Sequence, residues 1–193
     1  STTLSLHRGA YDRFARLDVP EGADPDVKRY VEHTLRDYHR SGVDKDDATR
    51  DTIRRLQEEL VQIGQEFDRN IMTGGRTLRL DDGHAALAGL PEDFLASHPE
   101  DDDGSVTLST DPTDFLPVLL YAERDDVRRD YYVEYNLRAY PQNADVLGKL
   151  LGKRHEIATT LGYEHWAHWA SEDKLVGSAD AARSFAERVS DLA

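Results

Sequence analysis

Apolar residues recur every third or fourth position over most of the chain, which is the spacing of an amphipathic helix. The first such segment follows Asp24-Pro25, a capping carboxylate before a first-turn proline, and ends at Gly42. A longer one begins near Asp46 and ends at Gly74-Gly75. These patterns predict two long helices in the first part of the chain.

The middle of the chain has a different period. Apolar and polar residues alternate from Thr77 to Leu80 and again from Ser105 to Ser109, which is typical of strands. We therefore predict a small two-stranded β element near residues 76–81 and 105–110, with a short helix after Leu90-Pro91 between the strands. Because two strands alone are marginally stable, we expect them to pack on helices.

Helical spacing returns after Asp111-Pro112. The predicted fold class is mainly α, a single helical region over residues 1–193 with a possible boundary near residues 74–111. The helices predicted here run from Thr113 to Ala122 with a bend or restart near Pro117, from Asp125 to Tyr140, from a cap at Asn143 to Gly162, around Trp166 and Trp169, and onward from a cap at Ser178.

Composition narrows the classes of function. The chain has 38 acidic and 24 basic residues and a formal net charge of −14, so no basic surplus exists to bind nucleic acid. The longest apolar run, Phe115 to Ala122, is far shorter than the about 20 residues that span a membrane. No cysteine is present, which excludes disulfides and thiolate sites.

The two ends of the sequence carry weaker signals. Position 1 is Ser1, no signal-peptide pattern comes after it, and the helix after Ser178 reaches Ala193 without a terminating residue. We expect a cytoplasmic location and a chain that is a piece of a longer protein.

Two histidine patterns suggest metal chemistry, but each is short of ligands. His155-Glu156 begins like the zinc-protease motif H-E-x-x-H, yet its fifth position is Thr159. His165 and His168 share a helix face, but zinc takes three or four ligands. We therefore interpret the first pair as a helix surface and the second as packing beside Trp166 and Trp169.

Other candidates also favour structural roles. The loop Asp101-Asp102-Asp103-Gly104 lacks carboxylates at the outer positions of a calcium loop, so we interpret it as a solvated acidic loop. Gly74-Gly75 indicates a helix terminus rather than a phosphate cradle. The aromatic stripe is typical of core and interface: Tyr131, Tyr132, Tyr135 and Tyr140. The sequence contains no complete catalytic constellation.

Four stretches form an ordered series from about Tyr11 to Phe185. The first comprises residues 35–44 and the end of the following helix at residues 66–70, and the second comprises residues 87–94 and 115–119. The third comprises residues 126–129 and 136–140. The fourth comprises residues 161–163, Trp166-Ala167 and residues 172–175. Their order and spacing resemble the thimet oligopeptidase and oligopeptidase A group of zinc metallopeptidases.

The resemblance implies a helix-rich, two-lobed enzyme that cleaves short peptides inside a deep channel. It places the zinc ligands on an H-E-x-x-H helix and a downstream glutamate, with further His and Tyr residues for the tetrahedral intermediate. All of these lie C-terminal to the matched region, so none falls on this chain. We therefore expect a channel-wall region with no catalytic, cofactor-binding or metal-binding residues, which neither binds zinc nor cleaves peptides alone.

Two other hypotheses stay open: a stand-alone helical interaction module without catalytic activity, and a two-histidine metal or ligand site around His165 and His168. The expected partners are short peptides, basic ones favoured by the net charge, and the catalytic lobe outside this chain. A second copy is expected to associate through the apolar face that meets this lobe. Nucleic acids and membranes are not expected partners.

Overall fold

The computed structural model describes residues 7–192. Within that range the fold is mainly helical with one two-stranded antiparallel sheet, which confirms the predicted fold class. In chain order the elements are α1 (Arg8–Phe14), α2 (Pro25–Ser41), α3 (Asp47–Thr73), β1 (Thr77–Leu80), a 3₁₀ helix (Gly83–Leu87), α4 (Glu92–Ser97), β2 (Val106–Ser109), α5 (Pro112–Tyr121), α6 (Asp125–Asn136), α7 (Gln142–Leu161), α8 (Trp166–Glu172) and α9 (Ala179–Ser190).

The helix signals in the sequence correspond to real caps. The side chain of Asp24 accepts a hydrogen bond from the Asp26 amide at 2.8 Å and starts α2. Gly42 ends α2 in the left-handed region at φ 76°, where a β-carbon would lie 2.5 Å from Cδ1 of Ile53. Ser178 caps α9 by accepting from the Ala181 amide at 3.1 Å.

Contacts divide the chain into two compact units, with the divisions inside α3 and α7. The terminal unit comprises the residues up to Gln62 and from Lys149 onward. Its core joins α3 and α7 to the region around α8, through Ile53, Leu56, Leu60, Ile157, Leu161, Tyr163, Trp166 and Trp169.

The central unit, Ile63–Gly148, is built around the sheet. Strands β1 and β2 pair in antiparallel register with Leu78 opposite Leu108 and Leu80 opposite Val106. One face of β2 is fully buried against the 3₁₀ helix, α4, α5 and α6, so the small sheet does pack on helices. The buried core residues are Ala86, Leu87, Leu90, Phe94, Val106, Leu108, Val118, Ala122, Val127 and Tyr131.

Two predicted helix boundaries are wrong for local reasons. Helix α6 ends at Asn136, not Tyr140, because Ala139 adopts a left-handed φ of 61° and Tyr140 precedes a proline, which disfavours helix. Asn143 is not a cap but lies inside α7, where its side chain accepts from Asn70 at 2.9 Å and donates to the Phe67 carbonyl at 3.0 Å.

Some elements were missed or proved simpler than expected. Helix α5 passes through Pro117 as one helix, so the predicted restart there does not occur. Helix α1 and the 3₁₀ helix have no clear signal in the sequence. In the described part of the chain, no helix has the combined length and apolar character needed to cross a bilayer.

Candidate functional site

A cavity of about 550 Å³ opens in the central unit between α4, the end of β2 and the start of α5. Local sequence signals position its walls. Pro91 precedes α4 and places His98 just after that helix, while Asp111-Pro112 starts α5 and places Asp114 in its first turn. The polar lining consists of Asp93, Ser97, His98, Ser109, Asp111, Thr113 and Asp114.

His98 and Asp114 form the most buried polar contact of this cavity. Nε2 of His98 lies 3.2 Å from Oδ2 of Asp114, and both side chains are largely buried. The imidazole also stacks on Phe94 with 4.2 Å between ring centroids. Ser109 donates its hydroxyl to the same carboxylate oxygen at 2.9 Å, so β2 contributes to the network.

Both ring nitrogens of His98 have hydrogen-bond partners. Nδ1 of His98 lies 2.9 Å from the Phe94 carbonyl oxygen, which can only accept, and 3.1 Å from the Ser97 hydroxyl, which can donate or accept. Nε2 faces the Asp114 carboxylate, which is also an acceptor when ionised. A proton on Nε2 gives the hydrogen bond to Asp114, and the Ser97 hydroxyl and the Phe94 carbonyl offer Nδ1 a partner with or without a proton.

The order of the groups argues against nucleophilic catalysis here. In a serine hydrolase the histidine lies between serine and carboxylate and accepts the serine proton. In this cavity the carboxylate of Asp114 lies between Ser109 and His98, so the imidazole does not contact the serine hydroxyl. The arrangement can bind a polar or cationic group, and its order differs from that of a serine hydrolase.

Tyr131 supports the same network from α6. Its phenol donates to the Ser109 carbonyl at 2.8 Å, and its side chain is fully buried. Burial, together with the nearby charge of Asp114, raises the pKa of this phenol well above its usual value. The hydroxyl therefore stays protonated and fixes the end of β2 beside the cavity.

The half zinc motif lies on the exposed surface of α7 in the terminal unit. His155 and Glu156 are exposed, and Glu156 pairs with Lys153 at 2.9 Å. The Thr159 hydroxyl, which replaces the second histidine, donates to the His155 carbonyl at 3.0 Å. The hydroxyl that would face a metal is thus engaged by the helix backbone.

The second histidine pair gains a neighbour that the sequence did not indicate. The rings of His165 and His168 lie 4.0 Å apart between centroids, and Nδ1 of His168 is 3.7 Å from Oε2 of Glu164. One potential ligand atom from each of the three residues lies within 4.8 Å of the others. Sequence spacing missed Glu164 because it precedes α8 in a loop, outside the helical i, i+3 pattern.

Arg40 fixes the position of α8 within the terminal unit. Its buried guanidinium donates to the Trp169 carbonyl, pairs with Glu172 at 3.2 Å and lies over the Trp169 ring at 4.5 Å. Trp169 returns a hydrogen bond from Nε1 to the Arg40 carbonyl at 3.2 Å. Tyr163 donates to Glu172 at 2.6 Å, and burial raises its phenol pKa well above the usual value. No pattern in the sequence predicted these contacts of Arg40.

The acidic loop is held by its own hydrogen bonds. The Ser105 hydroxyl donates to Asp103 at 2.7 Å, and Arg79 pairs with the other oxygen of that carboxylate. These two partners, Ser105 first and then Arg79, lower the pKa of Asp103 well below its usual range. Asp103 is therefore engaged in loop structure.

The remaining candidate residues, Gly74 and the four tyrosines, either pack in the interior or lie on the surface. A β-carbon at Gly74 would lie 2.7 Å from the Ala139 amide nitrogen, so Gly74 serves a close backbone approach. In the aromatic stripe Tyr131 is buried and Tyr135 stacks on Phe115 at 3.7 Å between centroids. Tyr132 and Tyr140 are exposed, so the four rings do not form a ligand cage.

Comparison with known proteins supplies relatives that cover most of the chain. Oligopeptidase A of Salmonella typhimurium is 28% identical over 193 residues, which cover 91% of this chain and 28% of the relative. Oligopeptidase A of Escherichia coli is 27% identical over 91% of this chain and 28% of its own length. Saccharolysin of Saccharomyces cerevisiae is 26% identical over 97% of this chain and 28% of its own length.

These similarities confirm the resemblance that the sequence motifs indicated, across nearly the whole chain. No family model matches the sequence. The chain spans little more than a quarter of the length of these curated relatives.

Proposed function

Since this chain is a relative of the oligopeptidase A and thimet oligopeptidase family, we propose that it forms a non-catalytic part of a zinc-dependent enzyme that hydrolyses short peptides. The observation that carries the proposal is the similarity over 91% of the chain to oligopeptidase A, in a sequence without a complete H-E-x-x-H motif. The whole protein is a zinc metallo-oligopeptidase in this proposal, and this chain alone is inactive.

Zinc does not fit the half motif of this chain. The Thr159 hydroxyl is bound to the helix backbone, and His155 and Glu156 do not form a ligand set without a second histidine. The catalytic zinc of such an enzyme polarises the peptide carbonyl and activates water. We place it outside this chain, and no step is assigned to His155 or Glu156.

The role proposed for this chain is to border the channel that peptides enter. The exposed carboxylates Asp93 and Asp111 line the cavity of the central unit, and deeper in it Asp114 contacts His98. A net charge of −14 attracts cations over a long range, which favours peptides with basic side chains. The wall would also exclude folded proteins by its shape.

Partners and compartment derive from the same proposal. The expected partners are short peptides, the catalytic lobe of the parent protein and, for the isolated chain, a second copy. Nucleic acid is not among them. A cytoplasmic location stays a prediction, since one relative, mitochondrial intermediate peptidase 2 of Cryptococcus neoformans, is mitochondrial by name.

A stand-alone interaction module is the second candidate function. It is favoured by the apolar side chains of Leu116 and Leu120, which are exposed on one face of α5. The gene sequence downstream of codon 193 distinguishes the two functions. An open reading frame that continues to an H-E-x-x-H motif and a downstream glutamate supports the oligopeptidase, whereas a stop codon near Ala193 overturns it in favour of the module.

A further inference from the structure

We propose that Glu164, His165 and His168 together bind one zinc ion at a site in the terminal unit. Two imidazoles and one carboxylate are a ligand set that zinc accepts. The sequence alone offered two ligands and favoured packing, and the structure adds the third. This site would replace the expectation that the chain holds no zinc.

The distances lie close to those of a metal site. Zinc bonds of 2.0–2.2 Å place tetrahedral ligand atoms about 3.4 Å apart. Nδ1 of His168 and Oε2 of Glu164 are already 3.7 Å apart, and all three candidate ligand atoms lie within 4.8 Å of one another. Small rotations of exposed or half-buried side chains close the remaining gap without moving the backbone.

The three ligands are available for a cation. Among residues 7–192, no hydrogen bond engages an imidazole nitrogen of His165 or His168 or the carboxylate of Glu164. At 3.7 Å the contact between His168 and Glu164 is longer than a hydrogen bond. Zinc would therefore not have to break a hydrogen bond of these three side chains.

The helix that carries His168 is held in place by the core. Trp166 and Trp169 alternate with the histidines and pack against the core of the terminal unit. Their rings lie 4.4 Å apart between centroids. The Arg40 guanidinium donates a hydrogen bond to the Trp169 carbonyl, and the Trp169 indole donates one to the Arg40 carbonyl. A fixed backbone keeps the ligands near their binding positions, which reduces the entropy lost when the metal binds.

The ligand chemistry determines which cations bind. Imidazole nitrogen favours zinc and its transition-metal neighbours, whereas magnesium and calcium require oxygen ligands. Three protein ligands leave one tetrahedral position for water. Because the imidazoles must be neutral to bind, protons compete and the affinity falls in acid.

Calorimetric titration of the untagged, chelator-treated chain with zinc tests the proposal. We expect one zinc per chain, little competition from excess magnesium, and at least about tenfold weaker binding in each of His165→Ala, His168→Ala and Glu164→Gln. His155→Ala is the matched control on α7 and should bind zinc like the wild type. Far-ultraviolet circular dichroism checks that each variant is folded.

A measurement on the unmodified chain does not depend on the folding of a variant. Zinc should shift the imidazole nitrogen NMR resonances of His165 and His168 and leave those of His155 in place. No saturable zinc binding, or full binding in the double variant His165→Ala/His168→Ala, would overturn the site. Loss of zinc in His155→Ala alone would also overturn it, because the ion would then belong to the half motif.

Discussion

The imidazole of His98 and the carboxylate of Asp114 form a hydrogen bond with 3.2 Å between Nε2 and Oδ2 in the wall of the central-unit cavity. Only 15% and 10% of the two side chains are exposed. His98 comes directly after α4, Asp114 lies in α5, and Ser109 at the end of β2 donates to the same carboxylate. One buried carboxylate therefore links three elements around the cavity.

Asp114→Asn should lower the free energy of unfolding by about 1–2 kcal/mol, because the hydrogen bonds from Ser109 and His98 would go to a neutral amide instead of a carboxylate. The matched control is Asp111→Asn, an exposed carboxylate at the same cavity, which should change stability by about 0.5 kcal/mol or less. Urea unfolding measures both. Equal effects of the two variants would mean that the contact between His98 and Asp114 does not hold the cavity wall.

The adjacent residues Gly74 and Gly75 provide a second pair of matched variants. A β-carbon at Gly74 would lie 2.6 Å from the Asn70 carbonyl oxygen and 2.7 Å from the Ala139 amide nitrogen, both backbone atoms, whereas one at Gly75 meets nothing within 4 Å. Gly74→Ala should therefore destabilise the chain by about 1–3 kcal/mol through overpacking. Gly75→Ala should be close to neutral in the same unfolding measurement, and the reverse order would contradict the described approach of the backbones.

Alkaline stability should depend on Tyr131. Burial raises its phenol pKa above the usual value near 10, so the neutral form stabilises the fold. This contribution is complete below the unfolded-state pKa and is lost as the pH rises through the higher folded-state value. Unfolding free energy should fall less steeply above about pH 10 in Tyr131→Phe than in the wild type.

Tyr132→Phe is the control for that titration, since Tyr132 is the neighbouring residue on α6 and is exposed. It should leave the alkaline slope unchanged. An unaltered slope in Tyr131→Phe would show that the buried phenol does not resist ionisation.

Local signals in the sequence determined much of the fold. The cap and proline at Asp24-Pro25, the terminator Gly42 and the alternation in β1 and β2 act over a few residues, so their elements could be predicted. The prediction for the end of α6 was wrong because the helical spacing of apolar residues continues in the sequence as far as Tyr140. The backbone itself leaves the helix before Ala139, which adopts a left-handed φ. Asn143 looks like a cap in the sequence, yet its partners Phe67 and Asn70 are distant in the chain.

The candidate sites were harder to predict because they depend on contacts between distant segments. Arg40 and Trp169 are 129 positions apart, and no periodic pattern relates them. His98 and Asp114 meet only because the sheet brings α4 and α5 together. Glu164 was overlooked because the spacing rule for shared helix faces does not apply in a loop.

Self-association of the isolated chain is expected through α5. Leu116 and Leu120 are 59% and 68% exposed, and their i, i+4 spacing places them on one helix face. Light scattering at high concentration should show dimers or larger species, and Leu120→Glu should shift them toward monomer. Met72→Glu, at another exposed apolar position in the central unit, should have little effect. A wild-type chain that stays strictly monomeric would contradict this expectation.

The central proposal is that this chain is part of a zinc oligopeptidase and holds none of its catalytic groups. The most direct test compares hydrolysis of a quenched fluorescent peptide by the 193-residue chain and by the product of the complete reading frame, each with and without a zinc chelator. The account predicts chelator-sensitive cleavage by the complete product and none by the chain alone. Chelator-sensitive cleavage by the purified 193-residue chain would contradict it.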